Sequence, residues 1–444
     1  MLFPEDVRPN RLPITNYRFS LILQKNYMPL PKLPAWFPQQ NPQVWILATG
    51  RLLSQSGTGF TLFYAPIFFV DRVGLSATAV GIALGSGSVS GIFGRVLGGS
   101  LCDSKFWGRR RTLLLSAIIS AAASLMLAAT NDFTGLIAGN LLMGFGVGLY
   151  WPPTEVMVAD LTEGEQRQEA FALTRLADNL GLQVGIILGG FLIAETGNYR
   201  SLFIIDAVSF LVLFAVVAIA ISETYKPATP VHRGNKSLEN GWMVALGDRT
   251  LLVYVLVNTL FTLYISQIQT TMPLYFSKFV AGGASVTGFS TATITFLFAL
   301  STFLTVVLQL PVARSLKRFS HPQALIISAL LWGMGFIAIG LTGMAAKGNL
   351  FLAILGLSFL SVATVVYLPS ASALVVDLAP PSFRGVYLAI NSQCWAFGYL
   401  IGPPLGGWAL DRGKLGADNF WLGLALSIGP VILVLQTLDR MLKK

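Results

Sequence analysis

From residue 44 onward, long apolar runs alternate with short polar punctuation. The runs predict twelve helices over 44–69, 76–101, 113–130, 134–158, 169–194, 201–221, 251–274, 287–313, 323–344, 349–370, 385–409 and 420–438. Each is long enough to cross a hydrocarbon core, which takes about 20 apolar residues. Six spans precede and six follow the longest polar stretch, where Pro227, Pro230, Gly234 and charges of both signs read as a flexible linker. Before the first span lie eight prolines and five basic residues, Arg8, Arg11, Arg18, Lys25 and Lys32, against the acids Glu5 and Asp6. That density of proline predicts an extended tail. The expected organisation is a tail over 1–43, an N-terminal six-helix bundle over 44–221, a linker over 222–250 and a C-terminal six-helix bundle over 251–444.

The two bundles repeat each other. Tyr150, Pro152, Asp160, Leu161, Arg167, Ala172, Gly181, Gly185, Leu188, Gly189 and Gly190 recur 217 residues later as Tyr367, Pro369, Asp377, Leu378, Arg384, Ala389, Gly398, Gly402, Leu405, Gly406 and Gly407, with no gap. A parallel duplication of six helices is the plan on which secondary transporters rock around a central site. The fold expected is therefore an all-α membrane protein, two six-helix repeats around a central cavity.

Composition agrees and excludes other classes. The chain is 54% hydrophobic and 11% charged, whereas soluble domains carry roughly 25% charge. Two cysteines, Cys102 and Cys394, exclude a disulfide framework or a thiolate metal cluster, and His232 and His321 are the only histidines. No nucleophile–base motif, metal set or cofactor signature emerges, so an enzyme is not expected. The net charge of +10 is unevenly spread: with the N-terminus inside, sixteen Lys and Arg fall in inner loops and the C-terminus, six in outer loops. This places both termini and the linker in the cytoplasm and accounts for the charge without nucleic acid. No charged n-region followed by a short apolar core precedes the first span, so no signal peptide is expected.

After the second span the chain reads Gly98-Gly99-Ser100-Leu101-Cys102-Asp103-Ser104-Lys105-Phe106-Trp107-Gly108-Arg109-Arg110-Arg111. A glycine, an acid four residues on, then a glycine followed by basic residues resembles the signature loop between helices 2 and 3 of the major facilitator superfamily, with one residue inserted before Gly108. The resemblance implies a latch between the halves built on Gly99, Asp103, Gly108, Arg109 and Arg110. The second-half copy, Pro311 to Arg318, keeps the basic charge and lacks the acid. Asp-x6-Arg pairs at Asp160/Arg167 and Asp377/Arg384 are expected to add inner-face bridges. In the eleventh span, Gly398-x3-Gly402-Pro403-x2-Gly406-Gly407 resembles an element that the family's exporters carry in helix 5. Here the fifth span has Gly181 and Gly185 but Ile186 in place of the proline, so these glycines and Pro403 are read as helix-packing positions. Asn140 stands where many proton-coupled exporters have arginine.

Ionisable residues inside spans are functional candidates. Loops and termini absorb all but Arg51, Arg95 and Arg175 among the bases; among the acids only Glu155, Asp178 and Asp206 lie inside spans, Glu169 standing at the first residue of one. Asp178 is about nine residues into its span, roughly 14 Å deep at 1.5 Å per residue. Arg175, three residues earlier, shares its helix face. Asp178, Arg175 and Glu155 are the proton-coupling candidates; Arg95 reads as structural, Arg51 as shallow enough to snorkel, and Asp206 as lying near a helix end. Tyr150, Trp151, Asn179, Gln183, Gln267, Tyr367, Gln393 and Trp395 are the expected cavity lining, a surface suited to amphipathic organic compounds.

Over 44–440 the chain resembles most the bacterial drug–proton antiporter branch. That implies a monomer in the prokaryotic inner membrane, in contact with lipid, exporting a small-molecule substrate by alternating access at the expense of protons. Proton-coupled metabolite uptake, or a transport-inactive homologue serving as a membrane assembly partner through its tail, are the alternative readings.

Overall fold

The computed structural model describes residues 40–102, 104, 106–162, 164–225, 243–283, 286–316, 318–380 and 384–443. Nearly all of the proline-rich tail, most of the linker and Asp103 lie outside these residues. Twelve long helices run through the described chain: α1 (Pro42–Asp71), α2 (Ala77–Cys102), α3 (Gly108–Ala129), α4 (Phe133–Asp160), α5 (Gly164–Thr196), α6 (Arg200–Ala220), α7 (Arg249–Lys278), α8 (Thr291–Leu316), α9 (His321–Met344), α10 (Asn349–Leu378), α11 (Arg384–Asp411) and α12 (Gly413–Leu442). A small antiparallel hairpin, Ala281–Gly283 with Val286–Thr287, joins α7 to α8.

Ten of the twelve are long and apolar enough to cross a membrane; α1 and α11 are not among them. The reason lies in what they face. Arg51, Ser54 and Thr61 of α1 are buried inside the protein, and α11 carries Asn391, Ser392, Gln393 and a run of glycines. α1, enclosed by other helices, can carry polar residues that a lipid-facing helix cannot, and the amides of α11 lower its mean hydropathy. The ends are set by local chemistry: Asp132 caps α4 by accepting from Gly135 N at 2.7 Å, Asp248 caps α7 by accepting from Thr250 N at 2.9 Å, and Ser320 and Gln323 form a capping box on α9.

Packing repeats with the sequence. In the first six helices α1 packs on α5 and α6, α2 on α4, and α3 on α4 and α6; in the second six, α7 packs on α11 and α12, α8 on α10, and α9 on α10 and α12. The glycines of α5 and α11 lie at close approaches. A Cβ on Gly181 or Gly185 would lie 2.3 Å or 2.1 Å from a backbone oxygen of α1, and one on Gly398 or Gly402 would lie 2.4 Å or 1.8 Å from a hydroxyl of α7.

The halves meet through α2 with α11, α5 with α8 and α1 with α7. The contacts described between them lie near the helix middles or toward the end away from the termini. A Cβ on Gly81 would lie 2.2 Å from Pro403 O, and one on Gly407 2.1 Å from Ala77 O. Tyr64 Oη and Thr295 Oγ1 are 3.0 Å apart, Thr302 donates to Gln183 at 2.5 Å, and Lys278 pairs with Asp71 at 2.9 Å. Asp411 at the end of α11 caps the partner half's α2, accepting from Ala77 N at 2.8 Å and Thr78 N at 2.7 Å. At this end the two halves are packed together. Asp411→Ala removes a cap worth about 0.5–2 kcal/mol that ties the two halves at this end. It is expected to raise labelling of a cysteine at position 78 severalfold with little loss of expression.

Candidate functional site

Among the described residues, the charged side chains of the central region come from the first repeat. Arg51 of α1, only 2% exposed, donates from Nε to Asp178 Oδ1 of α5 at 2.9 Å and from its terminal nitrogen to Asp178 Oδ2, a bidentate pair. Its guanidinium carbon lies 5.9 Å and 5.7 Å from the ring centres of Tyr150 and Trp151 on α4, which pack edge to face. Three helices are thus tied at one point. Beside it, on the side nearer the termini, Arg175 of α5 meets Glu155 of α4 at 3.4 Å, with the two side chains 65% and 47% exposed.

The pairing differs from expectation. Asp178 is held by Arg51, across helices, and Arg175 turns to Glu155. Successive α5 positions explain it: Arg175, Asn179 and Gln183 lie on one stripe, and Gln183 faces α8 of the other repeat. Asp178 is rotated off that stripe toward α1, where Gly181 and Gly185 also pack. Arg51 does not snorkel, since α1 is enclosed.

The second repeat builds the corresponding junction without charge. The first helices of the two repeats start 207 residues apart, an offset that sets Asn258 in the place of Arg51. Tyr367 donates to Asn258 Oδ1 at 2.6 Å, Asn258 Nδ2 to Asn391 Oδ1 at 2.8 Å, and Tyr254 to Asn391 at 2.9 Å. One junction is an ion pair, its counterpart a satisfied amide network.

Cavity candidates therefore divide. Asn179 is exposed and Trp151, Gln183, Gln393 and Trp395 are half-buried, with Trp395 stacked on Tyr399 at 6.3 Å. Tyr150, Tyr367 and Gln267 are buried. Gln267 donates to Gly402 O at 2.7 Å and accepts from Thr271, so its amide bonds α7 to α11 and does not line a cavity. A buried amide must satisfy its donors, and the glycine-lined backbone of α11 is the nearest acceptor.

A sequence model of the Major Facilitator Superfamily matches residues 47–287 and 279–438. The chain belongs to that superfamily. Among its relatives is the "Multidrug resistance protein MdtH" of Klebsiella pneumoniae subsp. pneumoniae, 26% identical over 349 residues, 78% of this chain and 81% of the relative. The protein of the same name from Yersinia enterocolitica is also 26% identical, covering 78% and 82%. In fold, the superfamily member resembles a POT family transporter solved with 5-aminolevulinic acid, with TM-score 0.75, 15% identity and coverage of 92% and 99%. It resembles the nucleoside transporter NupG similarly, with TM-score 0.72, 15% identity and coverage of 91% and 100%. It is an integral membrane transporter, not an enzyme.

Around the superfamily's signature loop, Asp103 lies outside the described residues, as do the side chains of Arg167 and Arg384. Arg109 is placed: its guanidinium pairs with Asp160 at the end of α4 at 3.1 Å, donates to Cys102 O at 3.2 Å and lies 4.8 Å from the Tyr225 ring centre. Arg110 donates to Val217 O at 3.4 Å and to Ala218 O, reaching the end of α6. Gly108 has φ +69°, and Glu223 caps the helix that begins there, accepting from Arg109 N at 3.0 Å and Arg110 N at 3.1 Å. A Cβ on Gly99 would meet nothing within 4 Å, so the tight crossing in this loop is made by Gly98 against Leu149 and Pro152. Asp377 pairs with His321 at 3.2 Å.

Counting along the chain puts Asp206 near a helix end, yet it is fully buried. It accepts from Ser124 of α3 at 2.7 Å and Thr61 of α1 at 3.4 Å, and Gly57 gives it room. Its signal in the sequence is a small or hydroxyl residue at each facing position, legible only once the neighbours of α6 are known.

Proposed function

We propose that this superfamily member is a proton-coupled exporter of small amphipathic organic compounds, working by alternating access between its two six-helix bundles. One observation carries the reading: the bundles are bound to each other toward one end, while the charged residues of a single bundle stand at the other side of that closure. Proton coupling is assigned to Asp178, whose partner Arg51 offers it a charged alternative to carrying a proton. Arg175 and Glu155 take part from the cleft. Substrate contacts are assigned to Trp151, Asn179, Gln183, Gln393 and Trp395. The multidrug relatives support export as the direction. The sixteen-to-six distribution of basic residues supports cytoplasmic termini, which makes the open side cytoplasmic. The latch is assigned to the signature loop around Gly108, Arg109 and Arg110: here Arg109 holds Asp160 within the first bundle, and the loop meets the second bundle when the bundles rock to the opposite state. The bundles over 44–221 and 251–444 are the moving units, joined by the linker over 222–250 and preceded by the tail over 1–43.

The test is transport by purified protein in liposomes with an imposed pH gradient and a panel of labelled lipophilic ions. A gradient directed against the movement of substrate is expected to drive accumulation that a protonophore abolishes. Movement indifferent to the gradient and to the protonophore would contradict proton coupling, and no movement of any compound would contradict transport.

A further inference from the structure

The charges facing the cleft do not balance. Apart from the buried Arg51–Asp178 pair, the two cations Arg95 and Arg175 have one anion, Glu155, between them, which leaves one positive charge. Arg51 and Asp178 neutralise each other in their bidentate pair. Glu155 is then shared: it meets Arg175 at 3.4 Å and is the charge acting on half-buried Arg95 of α2. The second repeat supplies no counterweight. The described charged residues of α7–α12 fall within the first or last two turns of their helices, and the junction opposite Arg51 is the neutral Asn258–Asn391 network.

Arg175 is also the accessible member. Its side chain is 65% exposed, and its contact with Glu155 engages one of five N–H donors. Asn179 is one turn further along the same stripe and is exposed; Gln183 follows and touches the other repeat. A guanidinium with donors to spare, an amide one turn along, and the aromatic face of Trp151, one turn before Glu155 on α4, describe a site for an acidic head on an apolar body.

Resting on the transport reading above, we infer that the cleft selects amphipathic organic anions: compounds with an aromatic or aliphatic body and one carboxylate, sulfonate or phosphate monoester. Arg175 receives the acidic group in bidentate fashion. Glu155 is its intramolecular competitor, which the substrate displaces from Arg175 and leaves to Arg95. A lipophilic cation meets the opposite field, with an excess guanidinium where its charge would sit.

The experiment compares 2-naphthoate with 2-naphthylmethylammonium, one ring system with opposite charge, binding to the purified full-length protein in detergent by titration calorimetry. The wild-type protein is expected to bind naphthoate at least about tenfold more tightly than the ammonium, the scale of one charge-assisted hydrogen bond. Arg175→Gln is expected to lose most of that preference, and Glu155→Gln to tighten naphthoate binding severalfold by removing the competitor. Equal or tighter binding of the ammonium, no measurable binding of naphthoate, or unchanged naphthoate affinity in Arg175→Gln would overturn the inference. Thermal unfolding of each variant identifies misfolding; for a variant that misfolds, Arg175→Lys, which keeps the charge and loses the fork, is expected to fall between wild type and Arg175→Gln. Binding in detergent is independent of transport, so a protein that binds naphthoate but moves nothing in liposomes would sink the transport reading and leave this one standing.

Discussion

Asp178→Asn is expected to destabilise the protein by roughly 3–5 kcal/mol, the usual cost of removing one partner from a buried ion pair. Arg51 is 2% exposed and bound through two nitrogens to Asp178, so the substitution strands a guanidinium among Tyr150, Trp151 and α5. Arg51→Gln should do comparable damage. The double variant, Arg51→Gln with Asp178→Asn, leaves two neutral amides and is expected to regain most of the expression. The second repeat already holds a junction of that kind, at Asn258 and Asn391. What the double variant should not regain is drive from a pH gradient, while binding of substrate stays measurable. Uphill transport by a folded double variant would exclude Asp178 as the coupling site and turn attention to Glu155. The pairing with Arg51 makes this a sharper test than one built on Arg175, which is exposed and engaged elsewhere.

The second large effect is expected at the packed end away from the termini, which acts as the gate in the proposed cycle. A Cβ on Gly81 would lie 2.2 Å from Pro403 O, and 2.9 Å from Pro404 Cα, so the obstruction is backbone and has no rotamer by which to yield. Gly81→Leu overpacks the closed gate by about 1–3 kcal/mol and leaves the opened gate untouched, where α2 and α11 have parted. The balance of states should move toward the open gate roughly 5- to 150-fold. A cysteine at position 295, which in the closed gate is wedged between Gly190 and Tyr64, should then react with a thiol reagent correspondingly faster. Transport should fall with it, because a gate that will not close cannot alternate. Unchanged reactivity at position 295 would contradict the assignment of this contact as the gate.

The twelve helices and their duplication are legible in the sequence because spanning length and a fixed repeat offset are properties of the chain alone. The sequence is weaker where side chains are satisfied by distant helices. Asp178 stands out by depth, but the nearest basic residue on its own helix is three positions away, whereas its partner lies 127 residues earlier. The correspondence of Asn258 with Arg51 is hidden because the first helices are related by 207 residues and the fourth and fifth by 217; loops of unequal length consume the difference. Gln267 and Tyr367 are polar groups in apolar spans, a description that fits a ligand contact and a buried inter-helix bond equally well. The close approaches of α5 and α11 fall at glycines, and close approach is the commonest reason for glycine in such helices.

The central claim, alternation of two bundles around one cleft, is tested most directly by measuring distances at both ends of the same protein. On a background with buried Cys102 and Cys394 replaced by Ala, spin labels at positions 195 and 347 report the gated end, and labels at 111 and 443 report the end carrying the termini. All four sites are exposed. Double electron–electron resonance should show two populations at each end, with short distances at one end accompanying long distances at the other. Substrate and pH should shift both pairs in opposite directions by the same fraction. Distances that stay single-valued at both ends, or that lengthen together, would contradict alternating access.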